Sequence, residues 1–134
     1  MVMDKDMIKL KKDLEKNRVL SARGIGIDIE EVNRFRVHGV SSNFLLYKKI
    51  FTEQEIAYCM AKADPYPHFT VRFAAKEAVA KAVGMSMFEL NDIEIVNEVT
   101  GKPTVIIHSH PEYIIEISLS HTKEHGAAIA FRLS

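Results

Sequence analysis

The stretch from Arg72 to Gly84, RFAAKEAVAKAVG, constrains the fold most strongly, because it predicts a helix built on alanine that carries one acid and three bases. At about 100° per residue, small residues fall on one side of this helix and charged residues on the other. The small side holds Ala74, Ala75, Ala78, Val79 and Ala82, and the charged side holds Arg72, Phe73, Lys76, Glu77 and Lys81. Alanine lets a helix approach its neighbour closely, so we expect the charged side to face the interior or a cleft. An ordinary amphipathic helix with a solvated charged face is the alternative.

Composition places the chain among ordinary globular proteins and excludes several classes of function. Its 134 residues suffice for one domain, and 18 basic residues balance 18 acidic ones, which argues against a general nucleic-acid binder. No apolar run approaches the ~20 residues of a membrane span, and the N-terminus lacks the apolar stretch of a secretory signal. Cys59 is the only cysteine, which excludes an intrachain disulfide and favours a packed, inert thiol. We therefore expect a cytoplasmic protein that binds neither nucleic acid nor membranes.

The N-terminal region predicts a separate amphipathic helix over residues 3–18. Met3, Met7, Leu10 and Leu14 repeat at intervals of four, three and four residues, so they form one apolar stripe with lysines around it. Two heptads are too few for a coiled coil, and we expect the helix to dock on its own domain or on a neighbouring subunit. The chain thus divides into a helical extension, residues 1–23, and a main domain, residues 24–134.

The main domain begins with a strand, GIGIDIEEV. Because side chains alternate along a strand, Ile25, Ile27 and Ile29 share one face, and Asp28 lies with small residues on the other. A polar turn is predicted over residues 33–42.

Helices are predicted next. Thr52 and Glu55 have the spacing of a capping box, so a helix should begin there and run to about Asp64, where a Pro-Tyr-Pro sequence ends it. The alanine-rich helix should then span roughly residues 68–83, stopped by Gly84.

The rest of the chain is rich in strand signals. Residues 100–102, Thr-Gly-Lys, lie between two apolar segments and predict a hairpin, and residues 122–125 predict a second tight turn. About five strands and three or four helices result. The predicted fold class is α+β, with a mainly antiparallel sheet of about five strands.

Two acids and a group of bases are candidates for chemistry. Asp28 lies at the end of an apolar strand, where a charge is costly unless it is paired or bound to a cation. Asp28 and Glu77 together supply two hard oxygen ligands of the kind that hold Mg²⁺ with water and substrate phosphates. His121, in the segment SLSHT, adds a possible cation to the bases of the alanine-rich helix, and such a set suits phosphate. Taken singly, each of these residues is more often structural.

Three ordered motifs resemble the holo-[acyl-carrier-protein] synthase family, the short, single-domain 4′-phosphopantetheinyl transferases. They are GIGIDIEEVNRF near the start, FTEQE followed by RFAAKEAVAKAVG in the middle, and DIEI…TGKP…ISLSHTKEHGAAIA at the end. The resemblance covers nearly everything from Gly24 to Phe131. It implies the family's α+β fold and Mg²⁺-dependent transfer of phosphopantetheine from coenzyme A to a serine of a carrier protein, releasing adenosine 3′,5′-bisphosphate.

The resemblance also implies roles for individual residues. Asp28 and Glu77 match the acids that hold Mg²⁺ against the coenzyme A pyrophosphate, Lys81 completes the catalytic set, and either Glu77 or a metal-bound water would be the base. The residues that match coenzyme A-binding positions are Arg72, Lys76, Lys81, Gly101, Lys102, Pro103, His121 and Thr122. Arg34 matches a basic position that faces the acidic carrier protein. Family members of this size form trimers with interfacial sites, so we expect a homotrimer in which Gly101 belongs to a different subunit from the two acids.

The chain departs from the family pattern in three places, and two other functions stay open. The helix before Gly24 is extra, Gly84-Met85-Ser86 replaces a Gly-Thr-Gly sequence, and the neutral net charge leaves few basic residues for docking a carrier. The alternatives are a Mg²⁺-dependent phosphohydrolase acting on coenzyme A or a nucleotide, and a coenzyme A binder without enzymatic activity. The carrier's identity is also open, because the sequence does not distinguish between fatty-acid, polyketide and other carriers.

Overall fold

The computed structural model describes residues 4–16, 22–84 and 90–134 of the chain. Over these residues the helices are α1 (Lys5–Lys16), α2 (Val32–Val37), α3 (Phe44–Ile50), α4 (Glu53–Met60) and α5 (Tyr66–Val83), with a 3₁₀ turn at Leu90–Asp92. The strands in the same residues are β1 (Gly24–Glu31), β2 (Ile93–Asn97), β3 (Pro103–Ile107), β4 (Ile115–His121) and β5 (His125–Arg132). All strand pairs among them are antiparallel, and the predicted α+β class is confirmed.

The strands form two sheets, whereas the sequence pattern predicts one. In the described part of the chain, one sheet has the order β1–β5–β4 and the other is the β2–β3 hairpin. Strand β3 lies next to β4 without pairing with it. Both predicted hairpins are present, but alternation within a strand does not specify which hairpins join, so the division into two sheets was not predictable.

Helix α5 packs its small side onto the three-stranded sheet, as the alanine pattern predicts. Four residues on that side have no exposed surface: Ala74, Ala75, Ala78 and Val79. The helix approaches β1 so closely that a Cβ atom on Gly24 or Gly26 would lie 1.9 Å from a carbonyl oxygen of α5. Only glycine fits at these two positions, and helix packing therefore explains the Gly-Ile-Gly sequence.

The two faces of β1 have different environments. Helix α5 covers the face that holds Gly26, and the opposite face carries three isoleucines that are each 60–67 % exposed. We call this exposed apolar surface the outer sheet face; its residues are Ile25, Ile27 and Ile29 of β1, with Ile129 and Phe131 opposite them on β5. A contiguous apolar surface of this kind is typical of a protein–protein contact.

A second core, rich in aromatic residues, lies between α3, α4 and the start of α5. The rings of Tyr47, Phe51 and Phe69 contact one another with centroids 5.0–5.8 Å apart. Cys59 is completely buried in this core, and burial raises the pKa of its thiol to about 12. The cysteine is therefore a packing residue, as the sequence analysis favours, because a thiol with so high a pKa is not a nucleophile at neutral pH.

Several helix boundaries differ from the predictions, and five helices rather than three or four are present in the described residues. Helix α2 occupies part of the segment predicted as a polar turn, because six residues are too few to show a helical period; Val32 anchors it at 1 % exposure. Helix α4 ends at Met60, before the predicted end at Asp64. Helix α5 begins at Tyr66 with Pro67 in its first turn, where a missing N–H costs no helical hydrogen bond.

Helix α1 agrees with the predicted amphipathic helix over the residues that can be compared. Met7, Leu10 and Leu14 of its apolar stripe are 51–63 % exposed, whereas Met3 lies outside the described residues. Residues 85–89, which include Met85 and Ser86 of the predicted loop difference, also lie outside them. Across the described helices, none has the length and apolarity needed to cross a membrane.

Candidate active site

Three carboxylates approach one another where β1 passes beside α5, and we call them the carboxylate group. Asp28 and Glu30 are two residues apart on β1, so both lie on the face that α5 covers, and Glu77 lies on the charged side of α5. The pKa of Glu30 is raised to about 7, chiefly by burial and by the neighbouring carboxyl of Asp28, and to a smaller extent by Glu77. The positive charge of Arg34 opposes this rise. Because neighbouring like charges disfavour one another, a bound cation would stabilise the charged form of the group.

The Asp28 carboxylate is only partly satisfied by the protein. Lys81 Nζ donates to Asp28 Oδ1 at 3.2 Å and to the Ile27 carbonyl oxygen at 2.8 Å. The other carboxylate oxygen, Oδ2, is buried and accepts no hydrogen bond from an N–H or hydroxyl group within the described ranges, so the only further donor to Asp28 is the Glu30 carboxyl when it is protonated. A buried polar atom without a partner is costly, and a divalent cation at this oxygen would remove that cost.

The residues present fit Mg²⁺ in a site that is completed by substrate. Among residues 4–16, 22–84 and 90–134, no group of three or more His, Cys, Asp or Glu is arranged to hold a metal ion by itself. Mg²⁺ commonly takes one or two protein carboxylates and fills its shell with water and substrate phosphates. Asp28 and Glu77, with Glu30 beside them, fit that mode of binding.

A second feature, which we call the basic cleft, opens between the start of α5, the β2–β3 hairpin and β4. Its volume is about 440 Å³, and its lining includes five of the residues predicted to bind coenzyme A: Arg72, Gly101, Lys102, Pro103 and His121. Tyr58, His68 and Asn97 also line it. The lining contains several bases and no carboxylate, so the cleft is suited to an anion.

Arg72 is a fixed cation in the wall of the basic cleft. Its residue is 3 % exposed, one guanidinium nitrogen donates to Asn97 Oδ1 at 2.9 Å, and the guanidinium carbon lies 4.0 Å from the centroid of the Tyr58 ring. The Nε donor is buried without a partner in the described residues. Because the side chain is already ordered, binding of an anion to it costs little side-chain conformational entropy, which favours affinity.

Lys76 lies in the core and does not line the basic cleft, although the sequence analysis assigns it to coenzyme A. Its Nζ is fully buried, 2.7 Å from Glu55 Oε1, and donates to the carbonyl oxygens of Leu90 and Ile93. Burial lowers the pKa of Lys76, and the charge of Glu55 opposes that effect. The pair links α5 to α4 and to the beginning of β2.

Glu55 has two structural roles. It completes the predicted capping box of α4 by accepting the Thr52 N–H at 2.9 Å, and its second oxygen accepts the Ile95 N–H of β2 at 3.1 Å. The sequence pattern indicates only the first role, because the partner in β2 is 40 positions away.

Thr122 and Lys102 have partners within the chain. Thr122 Oγ1 accepts the N–H groups of Glu124 and His125 at 3.2 and 3.1 Å and so stabilises the β4–β5 turn beside the basic cleft. Lys102 Nζ lies 3.2 Å from Glu116, and both side chains are about half exposed. An exposed pair of this kind is weak, so Lys102 remains able to bind an anion.

Apart from Lys76 in the core and Thr122 in the turn beside the cleft, the residues predicted for metal and coenzyme A fall into two groups that share no residue within the described chain, the carboxylate group with Lys81 and the basic cleft. Sequence reasoning missed Glu30, Tyr58 and Asn97. Because side chains alternate along β1, Glu30 lies on the same face as Asp28, so Glu30 could have been predicted from the sequence. Tyr58 and Asn97 meet Arg72 only through tertiary packing, and no local pattern indicates them.

Comparison with known proteins identifies the family. The family model of the 4′-phosphopantetheinyl transferase superfamily matches residues 24–131. The chain belongs to this superfamily. Among its curated members, the holo-[acyl-carrier-protein] synthase of Chlamydia pneumoniae is 42 % identical over 118 residues, which are 82 % of this chain and 96 % of the relative. The same-named protein of Chlorobaculum parvum is 39 % identical over 110 residues, 79 % of this chain and 94 % of the relative.

Solved phosphopantetheinyl transferases have the same fold. The holo-(acyl-carrier-protein) synthase of Bacillus anthracis str. Ames, solved in complex with CoA (3′,5′-ADP), matches with a TM-score of 0.72 at 34 % identity, covering 83 % of this chain and 96 % of that one. The synthase of Neisseria meningitidis matches with a TM-score of 0.74 at 25 % identity, covering 84 % and 98 %. This phosphopantetheinyl transferase is therefore an enzyme, and its helix α1 precedes the residues that the family model matches.

Proposed function

We propose that the chain transfers 4′-phosphopantetheine from coenzyme A to a serine of an acidic apo acyl carrier protein, with Mg²⁺, and releases adenosine 3′,5′-bisphosphate. The observation that carries the proposal is that the described chain contains both parts that a polyphosphate substrate needs, the carboxylate group and the basic cleft. A polyphosphate substrate needs fixed cations for its phosphates and a divalent cation at the reacting phosphoryl group. The relative that was solved with coenzyme A supports the same assignment.

Asp28 and Glu77 would hold Mg²⁺, with Glu30 beside them. When bound, the metal ion neutralises charge on the phosphoryl oxygens of the coenzyme A pyrophosphate. Lys81, whose side chain is 54 % exposed, can exchange its contact with Asp28 for one with a phosphate oxygen. Glu77 or a water at the same place accepts the proton of the attacking serine hydroxyl.

The basic cleft would bind the part of coenzyme A that leaves as product. Arg72, Lys102 and His121 line the cleft and would contact an anion bound there, and the turn at residues 101–103 lies at its edge. Gly101 has a φ of 87°, in the left-handed region that favours glycine, which explains why this residue occupies the turn at the edge of the cleft. Neutralising charge on the departing bisphosphate lowers the barrier to phosphoryl transfer.

The outer sheet face would join three subunits. Its three β1 isoleucines are 60–67 % exposed in the single chain, and a trimer contact would bury them. The carboxylate group and the basic cleft share no residue in one described chain, so the cleft of one subunit can complete the site beside the carboxylates of the next. A homotrimer with interfacial sites accounts for both observations.

Arg34 would bind the carrier protein beside the carboxylate group. Its guanidinium donates to Glu30 at 3.0 Å, and its side chain is 65 % exposed. Arg34 also borders a small apolar pocket of about 120 Å³ that includes Phe35 and Leu46. A basic residue next to an apolar pocket suits an acidic helix with apolar side chains on one face.

Reversing the charge at Arg34 tests the carrier assignment. Arg34→Glu should raise the KM for the carrier about tenfold or more, because placing like charges together across an interface costs several kcal/mol. The KM for coenzyme A, measured at saturating Mg²⁺ by steady-state kinetics, should change little. A change confined to the coenzyme A dependence would instead assign Arg34 to the nucleotide site.

Mass spectrometry of an apo acyl carrier protein tests the function itself. After incubation with coenzyme A, Mg²⁺ and this enzyme, the carrier should gain the mass of one phosphopantetheine on its serine. A control without carrier should release no adenosine bisphosphate. Release in that control would identify a phosphohydrolase, and binding of coenzyme A without either product would identify a binder. A cytoplasmic location and a carrier of fatty acid synthesis stay predictions.

Removing the N-terminal extension tests its role in assembly. An isolated helix of fewer than ~15 residues is marginal in water, so the apolar stripe of α1 must pack against protein to be stable. Deletion of residues 1–20 should lower the thermal unfolding temperature or shift the trimer toward monomer, while turnover per assembled site is retained. Light scattering after size exclusion, together with an activity assay, measures both. An assembled, equally stable but inactive protein would place α1 at the active site or the carrier instead.

A further inference from the structure

His68 lines the basic cleft, although nothing in the sequence pattern assigns it a role. It lies in the first turn of α5 and is partly buried. Its ring centroid is 5.5 Å from that of His121 and 6.2 Å from that of Tyr58. His68 and His121 therefore form a pair of imidazoles in the same wall of the cleft.

The groups around His68 disfavour its charged form in the free protein. Those that face it are Tyr58 of α4, Lys62 and Asp64 after α4, Arg72 of α5, His121 of β4 and, across the cleft, Lys102. Burial lowers the pKa of His68, and the charges of His121, Arg72 and Lys62 lower it further, with only Asp64 opposing them. Asp64 is itself bound by Arg36 through two hydrogen bonds. These surroundings therefore favour the neutral form of His68 in the absence of an anion.

A phosphate that is not bound to a metal ion is the ligand that best fits such a pair. The reacting pyrophosphate belongs near the carboxylate group, where a divalent cation neutralises it. The 3′-phosphate of coenzyme A takes no part in the reaction and needs no divalent cation, so protein cations are the charges suited to binding it. The basic cleft, which has no carboxylate in its lining, is suited to that phosphate.

We propose that His68 binds the 3′-phosphate of coenzyme A in the basic cleft and takes up a proton as it does so. The inference rests on the proposed function. A dianion next to the imidazole favours its charged form, so the complex holds a proton that the free protein lacks. Binding is then strongest below the pKa that His68 has in the complex and weakens as the pH rises through it. Substrate binding and product release consequently depend on pH through a residue outside the reacting centre.

Calorimetric titration of the full-length enzyme with coenzyme A and with dephospho-coenzyme A tests the proposal between about pH 6 and about pH 8, near the ordinary histidine pKa. The key variant is His68→Gln, which keeps a hydrogen-bond donor but cannot titrate. At about pH 6 it should bind coenzyme A about tenfold more weakly than wild type, since it lacks a charge-assisted contact. At about pH 8 the two should bind nearly alike. His125→Gln, an exposed residue that does not line the cleft, should match wild type throughout.

Two further measurements separate the possible outcomes. Dephospho-coenzyme A should bind wild type and His68→Gln equally, and titrations in two buffers of different ionisation enthalpy should show that the variant takes up fewer protons with coenzyme A. An unchanged pH dependence in His68→Gln, or equal losses for both ligands, overturns the role of His68. The transfer assay distinguishes the two proposals. If the wild-type enzyme modifies the carrier, the proposed function stands even when the His68 proposal is overturned. If the wild-type enzyme does not modify the carrier, both proposals are overturned.

Discussion

Changing Glu77 to glutamine or Asp28 to asparagine should reduce phosphopantetheine transfer by at least about a hundredfold, because each change removes a carboxylate that we propose as a ligand of the metal ion at the reacting phosphoryl group. Folding should survive both changes. Asp28 Oδ2 is buried without an N–H or hydroxyl donor in the described residues, and the Lys81 contact with Oδ1 is half exposed, so replacing this carboxylate by an amide should cost the metal-free protein little stability. Initial rates at saturating Mg²⁺ and coenzyme A, with thermal unfolding of the metal-free protein, measure the two effects.

Glu53→Gln is the matched control for these carboxylates. Glu53 lies in the exposed first turn of α4 and belongs to neither the carboxylate group nor the basic cleft. Its variant should keep wild-type turnover. Near-normal turnover in either Asp28→Asn or Glu77→Gln would remove the metal assignment, and a large loss of stability in either would give that carboxylate a structural role instead.

Replacing Lys76 by methionine should destabilise the fold by about 3–5 kcal/mol, because it leaves the Glu55 carboxylate buried without its cation. The ammonium group lies 2.7 Å from Glu55 Oε1, and neither side chain is more than 1 % exposed. Denaturant unfolding measures the loss. A double variant, Glu55→Gln with Lys76→Met, should lose less than the sum of the two single changes, because no unpaired charge remains.

Lys81→Met is the comparison for Lys76, since both lysines lie on the charged side of α5. Lys81 is 54 % exposed on its side chain and contacts Asp28, so its loss should reduce turnover with little change in unfolding free energy. Lys76→Met should instead lower the unfolding free energy strongly and change the turnover of the folded protein little. A Lys76 variant of normal stability that fails to bind coenzyme A would restore the ligand-binding role that the sequence analysis assigns to it.

The elements of the fold that depend on a local sequence pattern could be predicted from the sequence. The alternation in β1, the alanine side of α5 and the capping box at Thr52 each depend on neighbours in sequence, and all three are present. The short α2 and the division into two sheets were not predictable. Their stability comes from contacts such as the burial of Val32, which no repeat in the chain reveals.

The candidate site was predictable as a set of residue types but not as an arrangement. The sequence assigns Arg72, Lys76 and Lys81 to phosphates because they share one side of a helix. The structure gives the three bases different surroundings: Arg72 lines the cleft, Lys76 is paired in the core and Lys81 contacts Asp28. The helical period predicts on which side of the helix a side chain lies. Whether that side chain contacts solvent, a ligand or a buried acid depends on the elements packed around it, which the period does not reveal.

The burial of the lone cysteine has a consequence for the chemistry of the substrate. The pantetheine arm of coenzyme A ends in a thiol, and oxidised coenzyme A is a disulfide that any accessible protein thiolate would attack, forming a mixed disulfide. Cys59 has no exposed surface, and burial raises its pKa to about 12, so no thiolate is presented to such a disulfide. Since this is the only sulfhydryl in the sequence, the enzyme can handle a thiol substrate under oxidising conditions without becoming covalently trapped by it.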